Sequence, residues 1–304
     1  MIHVKDNNTV EDRLHKFDIL KSEANTVREK DKNLIRSLFK NLYKRRLIVG
    51  IGFQRAYGSI LSGDHFDLIR LTPDTYMFVF ADVSGHGLPA YTTLIRLRSA
   101  ITLAVNEMRK IHETSGLMDY AVLVGNIAAK FTDIMDESNS DDFACVNFTI
   151  VTNREGKFHL EFYNRSMLFP IVLRNLGKRE YRVENLNYPQ KDWIPSKGYL
   201  LGSDIRALLG DSYLDSPRCT YTLNEGDSIL FYSDGIIEAY RDNSERDDFG
   251  DEGVEEVLID YAGLHPQLVV DGLFRAVYDF IGTPEHQKDD MTAVMICFPR
   301  ETSG

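Results

Sequence analysis

The sequence predicts an α+β fold, a layered core of mostly antiparallel sheet with helices outside it. Three observations predict it. Short apolar runs of strand length recur, at 76–81, 143–152 and 292–298, rich in β-branched and aromatic residues. Longer stretches opening at Pro89 and near Asp119 carry apolar residues at helical spacing. Strands also follow strands without the regular helical crossovers of a doubly wound parallel sheet.

In chain order, no glycine precedes Gly50 and no proline precedes Pro73, so residues 9–45 are expected to be helical. Phe17, Leu20, Ala24, Val27, Leu34 and Leu38 keep a 3-4 spacing there, with Asp31 inside the stripe. The stripe is short for a coiled coil. The helix therefore either lies on the main domain or serves as a dimerising or signal-transmitting element. Residues 1–45 are taken as this N-terminal segment and 46–304 as the main domain. Within the domain, 76–81 is a buried strand. The Pro89 helix has the stripe Leu94, Leu97, Ile101, Ala104, Met108 and Ile111, and the next has Tyr120, Val124, Ile127, Phe131 and Ile134. The acidic run 136–142 is a loop, 143–152 and 157–164 a hairpin, and 169–174 a further strand. Residues 175–227 are rich in turn formers and give no clean period. Strand 228–235 runs into a turn, helices follow near 251–262 and 266–281, and 292–298 closes the domain.

Composition narrows the function. The formal net charge is -11, which disfavours non-specific binding to nucleic acid or to an anionic membrane. No apolar run approaches a membrane span and the N-terminus is charged, so neither a membrane anchor nor a secretory signal is expected, and a cytoplasmic location is. Three cysteines without a CxxC exclude a zinc-knuckle or disulfide framework; Cys145 and Cys297, in apolar runs, are expected in the core. GxxxxGK[ST], HExxH and GxSxG are all missing.

What remains is a set of acidic turns. The run "FVFADVSGHG" ends an apolar strand on Asp82, "ILFYSDGIIEA" does so at Asp234, and "KDDMTAVMICF" places Asp289 and Asp290 just before a strand. "SGDHFDLIRL", with Asp64 and Asp67, is a weaker fourth case. One such aspartate alone reads as a turn or cap residue. Several at strand ends point further, because clustered carboxylates repel unless cations neutralise them. Hard divalent cations take oxygen donors of this kind. Asp82 is thus a candidate metal ligand, and Gly85, Gly87 and Gly235 would let the backbone turn tightly beside the ion. Ser84 and His86 stand too close in the turn for a nucleophilic dyad.

These segments resemble, in order and spacing, the metal-dependent protein serine/threonine phosphatases, in the bacterial branch that includes the SpoIIE and RsbU proteins. "SGDHFDLIRL" resembles the Gly-Gly-Asp-Tyr-Tyr-Asp segment, "ADVSGHGLPA" the Ala-Asp-Val-Ser-Gly-His-Gly segment, "LNEGDSILFYSDGIIEAYRDNSERDDFG" the Thr-Asp-Gly segment with its flanks, and "KDDMTAVMI" the closing Asp-Asp-Ile-Thr segment. The resemblance covers about 45–299. It implies an αββα sandwich of two mostly antiparallel sheets flanked by helices, with two Mn²⁺ or Mg²⁺ ions at one end. It implies Asp82 as the bridging ligand, the Val83 carbonyl and Asp234 as further ligands, and Asp289 or Asp290 as another. Asp64 would act directly or through a water. His86 is a candidate general acid beside Asp82 and Asp234. The implied reaction is in-line attack of a metal-activated water on phosphoserine or phosphothreonine without a covalent intermediate. The implied partner is a phosphorylated antagonist with a STAS domain in a partner-switching pathway that regulates a sigma factor. An upstream regulator docking on the N-terminal helix, or a homodimer formed through it, would deliver the signal. The alternative is a phosphatase-like binding module with weak or no activity.

Four departures from the family pattern stand out, one being "GLPAYTTLIRL", which departs from the usual small-residue helix start. Ser62 replaces the first glycine, Asn164-Arg165-Ser166 replaces a small-residue loop with its histidine, and no arginine serves as an evident phosphate clamp, Arg55 reading as a surface residue.

Overall fold

A computed structural model describes residues 47–138, 140–154, 157–241 and 247–298, without the side chains of Ser203 and Asp211. The helix expected over 9–45 lies outside the described residues, and with it the dimer or regulator contact.

The described chain forms two five-stranded sheets. The first runs in the order β1 (Ile48–Gln54), β10 (Met291–Cys297), β9 (Ser228–Tyr232), β6 (Ile171–Gly177), β7 (Glu180–Asn185). The second runs β2 (His65–Arg70), β3 (Thr75–Val83), β4 (Ala144–Arg154), β5 (Lys157–Arg165), β8 (Arg218–Asn224). Neighbouring strands pair antiparallel. The expected two-sheet architecture is therefore the one observed.

Three apolar layers hold the sheets together. Between them pack Phe78, Phe80, Phe162, Phe169, Trp193, Phe231 and Phe298. Outside the second sheet lie α1 (Gly87–Ser115) and α2 (Tyr120–Glu137), whose Leu97, Ile101, Val124 and Phe131 meet Val79, Ala81, Val146 and Phe148. Outside the first lie α5 (Gly250–Asp260) and α6 (Pro266–Ile281), covering Leu230, Tyr232 and Met295. Central strands are buried on both faces, which is why 76–81 reads as a continuous apolar run. Two short helices, α3 (Ser203–Leu209) and α4 (Asp234–Ile237), complete the described set.

Local chemistry explains the helix ends. The Asp119 side chain accepts the Ala121 and Val122 amides and starts α2. Gly116 closes α1 at φ 71°, its amide returning to the His112 carbonyl.

The structure corrects several details. The run expected as a loop over 136–142 begins inside α2, which continues through Glu137. Ile111, expected in the buried stripe, is exposed. The sequence reading did not delimit β1, β7 and β8. Glycines interrupt the pattern of β1, while β7 and β8 are edge strands whose polar residues mask alternation. Cys219 is the buried cysteine, and Cys145 and Cys297 are only half-buried, since both sit at strand ends. All three are free thiols. No helix among the described residues is long and apolar enough to cross a membrane.

Candidate active site

Side-chain alternation carries the acids into the gap between the sheets. On β3, Met77, Val79 and Ala81 face the helices, while Phe78 and Phe80 face the other sheet. Asp82 continues the second row and emerges at its end. By the same parity Asp64 follows from Phe66, and Thr292 from Val294 and Ile296. The rows meet, since the Thr292 hydroxyl donates to the Asp64 carboxylate at 2.6 Å. Sequence reasoning singled out the acids but not this threonine, although it stood in the quoted "KDDMT" segment.

The resulting electrostatics are adverse to ionised acids. Burial, then the charges of Asp64 and Asp234, push the Asp82 carboxyl up to about 10, with Asp234 close enough to hydrogen-bond it. Burial holds Asp64 well above the usual carboxylate range, opposed by the Thr292 hydrogen bond and reinforced by the Asp290 charge. Asp289 is raised by burial and by Asp234 and Asp290, against the pull of His86. Glu238, one turn beyond Asp234 in "DGIIEA", is raised by burial and by Asp234 and Asp289. Thus Asp64, Asp82, Asp234 and Asp289 act on one another across segments far apart in the chain. Among the described residues no three His, Cys, Asp or Glu side chains close into a finished ligand cluster. The acids interact through their charges.

Asp289 and Asp290 are handled differently by the fold. Asp290 is buried, and its two carboxylate oxygens accept the Ala56 and Gly63 amides, both at 2.8 Å. It therefore clamps the loop that presents Asp64. Asp289 as a residue is open to solvent while its carboxyl is partly desolvated, with one oxygen on the Asp290 amide at 2.7 Å. The buried Gln287 braces the same loop through the Arg55 and Asp289 carbonyls. Asp290→Ala is expected to lower stability by about 2–4 kcal/mol by orphaning two buried amides. Asp289→Ala should leave stability almost unchanged and weaken divalent-cation binding. Urea unfolding midpoints and manganese titration separate the two, and equal destabilisation by both would refute the division.

The turn after Asp82 answers to backbone needs. Gly85 and Gly87 hold φ of 78° and 74°, in the left-handed region. A Cβ on Gly63 would stand 2.7 Å from the Val83 carbonyl oxygen, so that carbonyl faces the Asp64 loop. Gly235 lies against the Asp290 carbonyl, which a Cβ would approach to 2.1 Å. Gly235→Ala is expected to displace that segment and yield little soluble folded protein; normal yield and melting temperature would count against this packing.

The remaining residues also have definite places. His86 is exposed at the start of α1, its Nδ1 3.2 Å from the Ser59 hydroxyl and within electrostatic reach of Asp289. Ser84 pairs with Phe143, accepting its amide on the hydroxyl at 3.0 Å, so its role is to brace the turn. Asp67 is not in the gap. It lies on the row facing α1, within reach of the Arg98 charge. Ser62 is buried and its hydroxyl accepts the Asp64 amide at 3.0 Å, which explains how serine stands there. The Arg55 guanidinium lies 5.3 Å from the Phe53 ring centre. Arg165 is fully buried, donating to the Tyr213 and Asp215 carbonyls and the Ser216 hydroxyl.

Comparison with known proteins agrees with the fold. The family model described as Stage II sporulation protein E (SpoIIE) matches residues 72–299. No curated protein matches the sequence significantly. Among solved structures, the SiaA-PP2C domain of Pseudomonas aeruginosa superposes with a TM-score of 0.63 at 16% identity, over 96% of this chain and 100% of that one. The PP2C phosphatase domain of SpoIIE from Bacillus subtilis, with a fragment of its regulatory domain, gives 0.58 at 16% identity, over 83% of this chain and 63% of that one. The RsbU and RsbW domains of a Mycobacterium tuberculosis protein give 0.57 at 19% identity, over 84% and 62%. In the last two cases this chain spans less than two thirds of the solved chain. At these identities the structures speak for the fold, and the family match, over most of the chain, for membership. The chain belongs to the SpoIIE family and has the fold of PP2C domains.

Proposed function

We propose that the chain hydrolyses phosphoserine or phosphothreonine on a partner protein, with Asp64, Asp82, Asp234, Asp289 and the Val83 carbonyl holding two Mn²⁺ or Mg²⁺ ions. The observation that carries this reading is the convergence of four carboxylates at one end of the sheets, where burial and then neighbouring carboxylate charge raise Asp64, Asp82 and Asp289. The donor set is all hard oxygen, which fits these cations and not a thiolate metal. Divalent cations bound there supply Lewis-acid charge for the phosphoryl oxygens and acidify a water nucleophile.

The chain's own residues do the rest. The Thr292 hydroxyl orients the Asp64 carboxylate. Asp290 fixes the loop beneath it and leaves Asp289 open. His86, exposed and within electrostatic reach of Asp289, would give a proton to the departing serine or threonine oxygen. A STAS-type antagonist is the substrate class we favour, supported by family membership, with residues 1–45 receiving the regulator or the second copy and a cytoplasmic setting. The binding-module alternative gains nothing from Asn164-Arg165-Ser166, since buried Arg165 is occupied in packing.

The test is hydrolysis of para-nitrophenyl phosphate with Mn²⁺, with chelator and with Asp234→Ala. Manganese-dependent turnover lost in both controls is expected, by at least about a hundredfold in the variant. Turnover that survives chelation would refute the metal mechanism, and an inert wild type that still binds Mn²⁺ would favour the binding module.

A further inference from the structure

A phosphoryl group entering this site brings negative charge into a cluster of acids. We propose that Lys197 binds that group, an inference that rests on the phosphatase reading above. Its segment is fixed beside Asp82. The Gly198 amide donates to the Asn164 carbonyl at 2.7 Å, and Gly198 bridges Arg165 at the end of β5. Ala144 and Leu201 exchange backbone hydrogen bonds at 2.8 and 2.9 Å, and Ala144 stands opposite Val83 in the register of β4 on β3. Residues 197–201 thus cross the end of the sheet from β5 to β4, alongside the Asp82 turn.

The side chain turns toward the gap. The Lys197 ammonium lies 5.7 Å from the ring centre of Phe169, a residue of the inter-sheet core. It interacts electrostatically with Cys145, the residue opposite Asp82, whose thiol in turn feels Asp82 and Asp234. Partial burial disfavours its charged form. Among the described residues no carboxylate lies within ion-pair distance of it. The Asp251 charge attracts it from beyond contact range, and a half-desolvated ammonium without a contacting counter-ion is stabilised further by an arriving anion. The neighbouring wall is polar as well. Asn147 and Asn164, fully buried and opposite each other, leave Asn147 Nδ2 and both amide atoms of Asn164 unpaired. Arg165, next along β5, faces the opposite, helix-side core and is committed to backbone acceptors there. The residue escaped the sequence reading because nothing around it in "IPSKGYLL" differs from an ordinary surface lysine.

The experiment uses the full chain with Mn²⁺, para-nitrophenyl phosphate as substrate and inorganic phosphate as inhibitor, comparing wild type with Lys197→Met, Lys197→Arg and Arg55→Gln. Lys197→Met should raise KM and the phosphate inhibition constant about tenfold or more, with a smaller change in kcat. Lys197→Arg should recover most of the affinity, and the melting temperature should stay at the wild-type value, which a merely structural role would not give. Unchanged KM and inhibition constant in Lys197→Met overturn the assignment while the phosphatase reading stands. Weakening confined to Arg55→Gln overturns it in favour of that arginine. A wild type without turnover refutes the parent reading. Calorimetry with inorganic phosphate then decides for Lys197 alone, through Lys197-dependent binding or its failure.

Discussion

Asp82→Asn is expected to abolish manganese-dependent turnover and, at the same time, to raise the melting temperature of the metal-free protein. The two effects have one cause. Asp82 stands at the end of a buried row, opposed by Asp64 and Asp234, and its carboxyl is pushed from 3.8 up to about 10. A group whose folded pKa is raised favours folding when protonated. Its contribution is fully present below its unfolded pKa and is lost as pH rises toward about 10. Metal-free wild type should therefore lose stability across that window, and Asn, nearly the same shape without the charge, should flatten the slope. The rise is roughly 2–4 °C for each kcal/mol of repulsion removed in a domain of this size. The loss of turnover should be on the order of a thousandfold, the equivalent of several kcal/mol of transition-state charge stabilisation. Melting curves in chelator across the pH range, beside a phosphatase assay, check both. A variant that melts lower than wild type at every pH would refute the repulsion account.

Arg165→Ala should destabilise the fold by about 3–5 kcal/mol, lowering the melting temperature by roughly 10 °C. Arg165 is fully buried, yet among the described residues it makes no ion pair. Its guanidinium reaches the Asp215 carbonyl at 2.9 Å, the Ser216 hydroxyl at 3.1 Å and the Tyr213 carbonyl at 2.6 Å, and lies over the Tyr213 ring at 5.0 Å. Alanine would leave those acceptors unsatisfied beside a void. Lysine, a point charge without the planar fork, should restore only part of the loss. Urea unfolding of the three forms measures it, and a change below about 1 kcal/mol in Arg165→Ala would show that water replaces the guanidinium at little cost.

Much of the molecule was legible from the chain. The strands at 76–81 and 292–298 are legible as continuous apolar runs because both of their faces are buried, and the helices around Leu97 and Phe131 because burial of one face leaves a regular apolar stripe. The edge strands β7 and β8 do not, since one side of each meets solvent and the pattern dissolves.

The same division runs through the site. Sequence by itself determined the family and the set of acids at strand ends, with a turn after Asp82 that only glycines hold in this form. Those features are local, written in alternation and in φ. Only tertiary structure decided that Asp290 clamps a loop while Asp289 stays open, that Asp67 faces α1, that Thr292 reaches Asp64, and that Lys197 stands beside the Asp82 turn. The Gly63–Asp290 contact joins residues 227 positions apart, and the Thr292–Asp64 contact joins residues 228 apart. Contacts of that range exist only once two sheets have packed face to face, so no local pattern encodes them.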